Sequence, residues 1–484
     1  MESSPLTATL DDLCRAWADV HKFQGSVIVT RRDPANPSAK TEILLARGYG
    51  FANREFDVPN TPDCKYRIAS NSKQFTCVVA LRLIEDGRLE IDGTVDEYLN
   101  KNEEDPYFPR EAAAKITLQH LMNQSTGLTD YVNLDDYEDT KHLPTKNGQR
   151  DIIDRIKNIP LRFEPGASFE FCDSNFVVLT HILETVTGLD ISELMDVFCF
   201  KPAGLTSTLL EEDFASVKGL ATGYNFDRRI GRSYGKTAQW RKCEYVLSMD
   251  TARGAGGLVS TVWDMEKWAR AVIFAPKGQS PVLSEQSRDL LFQDPSQLLE
   301  YGPEAYYGCG LRRDSSPWGL FINTDGATEG FYSSHRAYLD SGIYLMILAN
   351  TEMSNIKTFA WTLSRVAHGE TLPEDGFPKS LKGIPATEAD LQKFAGVYGE
   401  GGTLTLEVEG TSLLYKRHQI PGTNFSEHSS FQTRMYMIRE LKPLDLKKGT
   451  FFAVENNFEY HFTVTDQGVE NVSLRVGNRP VTIS

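Results

Sequence analysis

The stretch YRIASNSKQF, residues 66–75, places Ser70 three residues before Lys73 at the end of an apolar run. From Ser70 to about Gly87 the spacing of apolar residues is helical, so the pair falls at the start of a predicted helix. Positions i and i+3 share one face of a helix, and the first turn offers unbonded backbone N–H groups. The pattern suits a serine nucleophile beside a lysine base, with its oxyanion stabilised by the backbone. The Ser-x-x-Lys string alone is a weak signal, because it recurs by chance in long chains.

The composition limits the class of protein. The 484 residues are 40% hydrophobic and 24% charged, which is typical of a folded protein with a large core. A net charge of −15 disfavours nucleic acid and anionic membranes as partners. The N-terminus lacks the pattern of a secretion signal, and no apolar run approaches the roughly 18–20 residues of a membrane span. We therefore expect a cytoplasmic protein without nucleic-acid or membrane partners.

Cysteine and histidine usage predicts neither disulfides nor a metal site. Seven cysteines are scattered without a Cys-x-x-Cys pair, which indicates reduced thiols. No histidine pair has metal-ligand spacing, and no phosphate-binding loop is present, so no cofactor is predicted. The acidic stretch at 130–142 is interpreted as a solvated loop. GRSYG, residues 231–235, matches the Gly-x-Ser-x-Gly motif but lies in a polar loop, without the buried strand and helix that this motif requires.

The order of predicted elements indicates an α/β layer with an inserted helical lobe. The strands GSVIVTRR (25–32) and EILLARGYGFAN (42–53) precede a mostly helical region, and the strand IYLMILAN (343–350) follows it. Helices are predicted at 8–22, 70–87, 116–123, 175–188, 264–274 and 359–369. The Gly-rich stretch from 220 to 257 is predicted to form loops. The sheet would be built from both ends of this body.

The C-terminal part has a different composition. Residues 369–386 form a Pro/Gly-rich linker, and the strand patterns that follow predict an all-β module of about 100 residues. The predicted domains are an N-terminal helix (1–23), a catalytic domain (24–368), the linker (369–386) and the β module (387–484).

The stretch from 66 to 99 resembles the nucleophile helix of the serine β-lactamase-like and penicillin-binding-protein superfamily, closest to its D-aminopeptidase and esterase branch. Further blocks of that family follow in order, namely ITLQHLMNQSTGLTDY (116–131), FEPGASFEFCDSNFVVLTHILETVTG (163–188), KPAGLTST (201–208), GAGGLVSTVWDMEKW (254–268), YGCGL (307–311) and DGATEGFYSS (325–334). The resemblance implies an α/β lobe with an all-helical lobe. It also implies a C-terminal lipocalin-like β-barrel, which relatives often carry.

Two catalytic motifs of that family are altered in this chain. The family's Tyr-x-Asn motif falls on Phe171 and Asp173, and its Lys- or His-x-Gly motif falls on Thr324 to Gly326. Phe171 has no proton to exchange, so the leaving group needs another donor. Asp173 beside Lys73 would favour the ammonium form and make the lysine a poorer base, or would itself act as the base.

The third motif also loses a charge. Thr324 removes the cation that would bind an anionic substrate group, and Asp325 is expected to point away from the pocket. Tyr131 is the tyrosine best placed to supply the missing hydroxyl. We therefore predict Ser70, Lys73 and Asp173 as catalytic residues, and the pocket is predicted to be lined by Phe171, Tyr131, Thr324 and Gly326.

These observations predict a serine-dependent hydrolase or acyltransferase. It would act on an amide, ester or thioester of a small molecule or short peptide through a Ser70 acyl-enzyme. One alternative is an isomerase, cyclase or dehydratase of a small biosynthetic intermediate that reuses the pocket, because two of three motifs have changed. Another is a pseudoenzyme that binds without turnover. A homodimer is left open.

Overall fold

The computed structural model describes most of the chain in segments. The described residues are 4–36, 39–101, 106–134, 136–137, 148–213, 215–227, 239–243, 248–293, 296–297, 305–351, 356–372, 378, 384–398, 404–410, 412–417, 437–453, 459–465, 468–476 and 479–482. GRSYG at 231–235 lies outside them. So do most of the predicted linker and the second half of the acidic stretch.

Helices are interleaved with strands throughout. The helices are α1 Pro5–His21, α2 Lys73–Glu85, α3 Arg110–Ala113, α4 Leu118–Met122, α5 Gln149–Ile156, α6 Asp173–Thr187, α7 Ile191–Met195, α8 Lys201–Ala203, α9 Met249–Gly256, α10 Val262–Val272, α11 Glu285–Leu291, α12 Ile356–Ala367 and α13 Glu388–Gln392. The first strands are β1 Gly25–Arg31, β2 Glu42–Tyr49, β3 Phe51–Asn53, β4 Val58–Pro59, β5 Tyr66–Arg67, β6 Leu209–Leu210, β7 Tyr224–Asp227, β8 Gln239–Lys242, β9 Leu258–Ser260 and β10 Ser296–Gln297. The central strands that follow are β11 Tyr306–Gly308, β12 Leu311–Ser316, β13 Gly319–Thr328, β14 Phe331–Tyr338 and β15 Ile343–Ala349. The C-terminal strands are β16 Gly396–Tyr398, β17 Leu404–Glu409, β18 Ser412–Arg417, β19 Met437–Asp445, β20 Thr450–Ala453, β21 Glu459–Thr465, β22 Gly468–Val476 and β23 Arg479–Thr482.

The central sheet joins both ends of the body, as the sequence predicts. Its strand order is β10-β11-β12-β13-β14-β15-β1-β2, and β1 pairs antiparallel with β15. β15 is buried along its whole length, because helices cover both faces of the sheet. α10 packs on one face, where Trp268 belongs to the larger core. α1 and α12 cover the other face, with the rings of Trp17 and Phe359 stacked 4.6 Å apart.

The loop prediction for 220–257 is wrong in part. β7 and β8 form a hairpin, and the Gly-rich segment after them forms α9. This helix packs against α6 and α2 so closely that a Cβ on Gly254 would overlap the hydroxyl of Thr180. The glycine allows that approach, and the helix is kinked at Arg253, whose dihedral angles are not helical.

The C-terminal module is an antiparallel sheet whose described strands, β16 to β23, pair in chain order. α13 covers it, and a small core of its own includes Phe394, Phe451 and Phe462. Among the described strands, β16 and β23 do not pair with each other, so no closed barrel is found. Within the described residues, no helix is both long and apolar enough to cross a membrane.

Candidate active site

Ser70 lies on a tight turn in front of a buried helix. A 3-10 turn spans Ala69–Ser72, and the α-helix begins at Lys73 rather than at Ser70 as predicted. Ala69 adopts a left-handed conformation with φ +48°, which is unusual for a residue with a side chain. The chain therefore turns sharply just before the hydroxyl, and the helix continues into the core behind it.

Hydrogen bonds hold this turn against the sheet. Asn71 Nδ2 donates to Ser333 Oγ at 2.8 Å, and that hydroxyl donates to the carbonyl of Ile68 at 2.7 Å. Gly326 on β13 faces the same turn, where a Cβ would overlap Ser333 Oγ and lie 3.0 Å from the backbone N of Ser70. Only a residue without a side chain lets the strand come this close to Ser70.

Lys73 contacts both of the other predicted catalytic residues. Its side chain is only 1% exposed, and its Nζ donates to Ser70 Oγ at 3.0 Å. The same nitrogen donates to the carbonyl of Ala255 on α9 at 2.7 Å and lies 2.6 Å from Asp173 Oδ1 at the start of α6. Two N–H donors of the ammonium group are thus used in hydrogen bonds, and Asp173 Oδ1 lies at ion-pair distance.

Two phenylalanine rings flank the lysine. Its Nζ lies 4.9 Å from the ring centre of Phe171 and 5.4 Å from that of Phe176. Gln124 fixes the segment that carries Phe171, since its Oε1 accepts from the backbone N of Cys172 at 3.0 Å. The ring of Phe171 thus shields the lysine from water and has no hydroxyl to exchange a proton.

The pocket beside Ser70 has a cavity of about 40 Å³, room for a few water molecules. Ser70, Asp173 and Tyr131 line it, together with Tyr137, which the sequence analysis missed. Tyr137 is 2% exposed, and its ring centre lies 5.9 Å from that of Tyr131. The prediction of a solvated acidic stretch is therefore wrong for the buried residues 130–132 and Tyr137, whereas Asn133 and Asp136 are exposed. The two tyrosines within a polar run were the available signal.

Three predicted pocket residues lie beside this cavity rather than on its surface. Phe171 contacts Lys73, and Gly326 contacts the turn that carries Ser70, as described above. Thr324 is half-buried on β13, and its hydroxyl donates to the backbone carbonyl of Asn323 at 2.7 Å. From that strand, Ala327 and Thr328 line the cavity.

The strand wall of the pocket presents no positive charge. Asp325 accepts from Ser334 Oγ at 2.7 Å, and its Oδ1 lies 2.9 Å from Arg336 Nη2. Burial by itself raises the pKa of Asp325, but Arg336 and more distant cations bring it below its ordinary value. The guanidinium of Arg336 is thereby engaged away from the cavity. Among the described residues of the strand wall, no lysine or arginine lines this pocket.

Asp130 is a further acid in the site, and nothing in its local pattern singled it out. Its side chain accepts from the backbone N of Val132 at 3.4 Å and is only 5% exposed. Burial raises the pKa of Asp130 to about 8, and the nearby charge of Asp173 acts in the same direction. Among the described residues, no cluster of histidine, cysteine or carboxylate side chains is arranged to hold a metal ion.

Comparisons with known proteins give a consistent result. Residues 39–368 match the Beta-lactamase family. A penicillin-binding protein of Bacillus subtilis is 26% identical over 349 residues, which is 71% of each chain. A D-aminopeptidase of Brucella anthropi is 25% identical over 409 residues, 83% of this chain and 69% of the relative.

Solved structures share the fold. An octameric penicillin-binding protein homologue from Pyrococcus abyssi superimposes with a TM-score of 0.62 at 18% identity, covering 98% of this chain and 99% of that one. The D-amino acid amidase from Ochrobactrum anthropi SV3, complexed with L-phenylalanine, gives a TM-score of 0.57 at 19% identity. That match covers 73% of this chain and 93% of the amidase. The first of these extends over the C-terminal module as well.

Proposed function

This chain belongs to the β-lactamase family, and we propose that it is a serine-dependent acyl-transfer enzyme that works through an acyl-enzyme on Ser70. The relatives are penicillin-binding proteins and D-aminopeptidases, whose names suit acyl-transfer and amide chemistry. They do not favour the alternative of an isomerase, cyclase or dehydratase.

One observation carries the proposal. Ser70 Oγ, Lys73 Nζ and Asp173 Oδ1 form a continuous chain, with steps of 3.0 Å and 2.6 Å. A serine hydroxyl needs a base in direct contact, and a buried lysine paired with a carboxylate can pass on the proton that it receives. The altered second motif thus brings a proton acceptor to the lysine.

The steps follow from this chain of contacts. Ser70 Oγ attacks the carbonyl carbon while its proton moves to Lys73 and a lysine proton moves to Asp173. When the intermediate collapses, the bond to the leaving group breaks and Lys73 gives that group a proton, which Asp173 restores to the lysine. Water or another acceptor then attacks the ester on Ser70, and the same proton movements run again.

The turn at Ala69–Ser72 supplies the electrostatic stabilisation of the oxyanion. Its backbone N–H groups lie at the start of α2, where the positive end of the helix favours a developing negative charge. β13 closes the site from the other side through Gly326. We assign the oxyanion to this position.

The substrate is proposed to be a neutral or amine-bearing amide, ester or thioester of a small molecule or short peptide. Neither Thr324 nor the lining residues Ala327 and Thr328 offer a cation for a carboxylate, and Asp173 adds a negative charge. Whether water or another nucleophile accepts the acyl group depends on what enters the pocket beside Tyr131 and Tyr137.

The C-terminal strands are proposed to form a lipocalin-like module. β16 to β23 run as an antiparallel meander around a compact aromatic core, and β16 approaches β22, the direction in which a meander closes. The Pyrococcus abyssi homologue, whose fold extends over nearly the whole chain, also supports a shared module.

The test is covalent labelling with a fluorophosphonate, followed by intact-protein mass spectrometry. We expect one adduct on the wild-type protein, with fluoride leaving as the bond between Ser70 Oγ and phosphorus forms. Ser70→Ala should carry no adduct. Ser233→Ala, in the GRSYG stretch, is the matched control and should be labelled like the wild type. An adduct that survives Ser70→Ala, or an unlabelled wild type, would overturn the proposal.

A further inference from the structure

The end of helix α9 is held by side chains of α2. Thr76 Oγ1 donates to the carbonyl of Gly254 at 2.7 Å, and Lys73 Nζ donates to the carbonyl of Ala255 at 2.7 Å. The last carbonyls of a helix have no partner within it, so they need donors from outside. Lys73 and Thr76 can each supply one, because residues three apart face the same side of a helix. Two adjacent carbonyls of α9 are therefore bound by two side chains one turn apart on α2.

The helical geometry of α9 does not by itself fix the direction of these carbonyls. Arg253 has φ 19° and ψ −114°, which are not helical values, and Gly254 follows it with the wide backbone freedom of a glycine. In a continuing helix the backbone N of Leu258 would donate to the Gly254 carbonyl. That N–H donates instead to Ser72 Oγ at 3.1 Å. Contacts from outside the helix thus decide where its last carbonyls point.

Thr76 differs from the other threonine at this contact. A Cβ on Gly254 would overlap Thr180 Oγ1 and would lie 2.9 Å from Thr76 Oγ1, so both side chains pack against the glycine. Both are fully buried, and water cannot replace either hydroxyl. The hydroxyl of Thr180 donates to the carbonyl of Phe176 within its own helix at 2.7 Å. Of the two threonines, only Thr76 donates a hydrogen bond to α9.

We propose that Thr76 is a positioning residue that, through the peptide group of Gly254, holds the Ala255 carbonyl against Lys73. The carbonyl carbon of Gly254 is bonded to the nitrogen of Ala255, and this peptide group is planar. A hydrogen bond to the Gly254 oxygen therefore fixes the plane from which Ala255 continues. Thr76 does not line the pocket, so it acts on the reaction through the lysine. This inference rests on the acyl-enzyme proposed above.

The Ala255 carbonyl restricts the proton exchange of Lys73. A backbone carbonyl accepts a hydrogen bond but takes up no proton at neutral pH, so the N–H that donates to Ala255 stays on the lysine at every step. The nitrogen then exchanges protons with the two other groups within reach, Ser70 Oγ at 3.0 Å and Asp173 Oδ1 at 2.6 Å. If the carbonyl moves away, the amino group turns about its last carbon–nitrogen bond and loses its alignment with Ser70.

The experiment compares variants of Thr76 by the rate at which a fluorophosphonate labels Ser70. Thr76→Val keeps the shape of the side chain but has no hydroxyl. We expect its labelling rate at saturating reagent to fall about tenfold, the order of one unmade buried hydrogen bond, and the half-saturating concentration to stay unchanged. Thr76→Ser keeps the hydroxyl and should label close to the wild-type rate. A wild-type rate for Thr76→Val, or an equal loss in Thr76→Ser, would overturn the proposal.

Thr180→Val is the matched control, because it removes a buried hydroxyl beside the same glycine without removing a donor to α9. Its labelling rate should stay near that of the wild type. An equal loss in Thr180→Val would point to looser packing around Gly254 and contradict a role for the hydrogen bond. If Thr76→Val does not fold, Thr76→Cys replaces it, since a thiol is a weak donor of similar size. Labelling of Thr76→Cys as fast as that of Thr76→Ser would then overturn the proposal.

A double variant tests whether Thr76 acts through the lysine. The base is absent in Lys73→Met, so adding Thr76→Val to it should slow labelling no further. A further tenfold loss would mean that Thr76 only supports the fold around Ser70, and the positioning role would be wrong. An unlabelled wild-type protein would instead overturn the acyl-enzyme itself, so the two failures are distinguishable.

Discussion

The pocket has a helix wall, with Lys73 and Asp173, and a strand wall, formed by β13 and β14. The two walls place their ion pairs differently relative to the cavity. On the helix wall, Lys73 and Asp173 meet at 2.6 Å beside the nucleophile. On the strand wall, Asp325 and Arg336 meet at 2.9 Å, but their pairing turns both charges away from the cavity. Both ion pairs are buried, yet only the first lies where a proton can move to the substrate. Under the proposed mechanism, burial alone does not make an ion pair functional; contact with Ser70 does.

Removing the lysine should have the largest effect. Lys73→Met keeps the length and apolar packing of the side chain but eliminates the base, so we expect fluorophosphonate labelling of Ser70 to slow by about 10²–10⁴-fold. The rate is measured from the growth of the adduct mass with time. Lys115→Met, at an exposed ion pair, is the control and should label normally. A normal labelling rate for Lys73→Met would show that the ion pair of the helix wall does not activate Ser70.

Removing the carboxylate of the helix wall should have the next largest effect. Asp173→Asn keeps the size of the side chain but cannot accept the proton that Lys73 passes on, and we expect labelling to slow by about 10²-fold. Asp325→Asn is the matched change on the strand wall, because it also breaks a buried ion pair. Its labelling rate should stay near that of the wild type once Tm shows that it is folded. Faster labelling of Asp173→Asn would mean that the carboxylate merely restrains the lysine.

Adding a charge to the strand wall should have the smallest effect. Thr324→Lys returns a cation to the third motif, and one charge-assisted hydrogen bond is worth about 1.5–3 kcal/mol. We expect about a tenfold lower KM for the p-nitrophenyl monoester of succinate, with little change for p-nitrophenyl butyrate. Thr324→Met separates the charge from the added bulk. The same KM change in both variants would show that the strand wall does not contact the substrate's acyl group.

Much of the fold could be predicted from the local sequence pattern. The strands within residues 25–53 were predicted from their strand patterns and that at 343–350 from a short apolar run, and the sheet joins them as predicted. The helix after Ser70 was also predicted, although its α-helical part begins at Lys73. At 220–257 the missed helix α9 is short, has non-helical dihedral angles at Arg253 and packs tightly against Thr180 at Gly254.

Only part of the candidate site could be predicted from the sequence. Phe171, Asp173 and Thr324 were located through the order of family blocks, because each lies within a recognisable stretch. The carbonyl of Ala255 was not found, because its contact with Lys73 joins elements far apart in the chain, whereas Tyr137 was overlooked in the same polar run as Tyr131.

By itself the sequence determined that Ser70 and Lys73 fall within one helical turn, since a spacing of three residues is a local property of the backbone. Only the tertiary structure decided which charges meet there. Asp173 lies 100 positions beyond Lys73 in sequence, and burial raises the pKa of Asp130. Burial and Coulomb energy depend on distance in space, so no local pattern of residues could specify them.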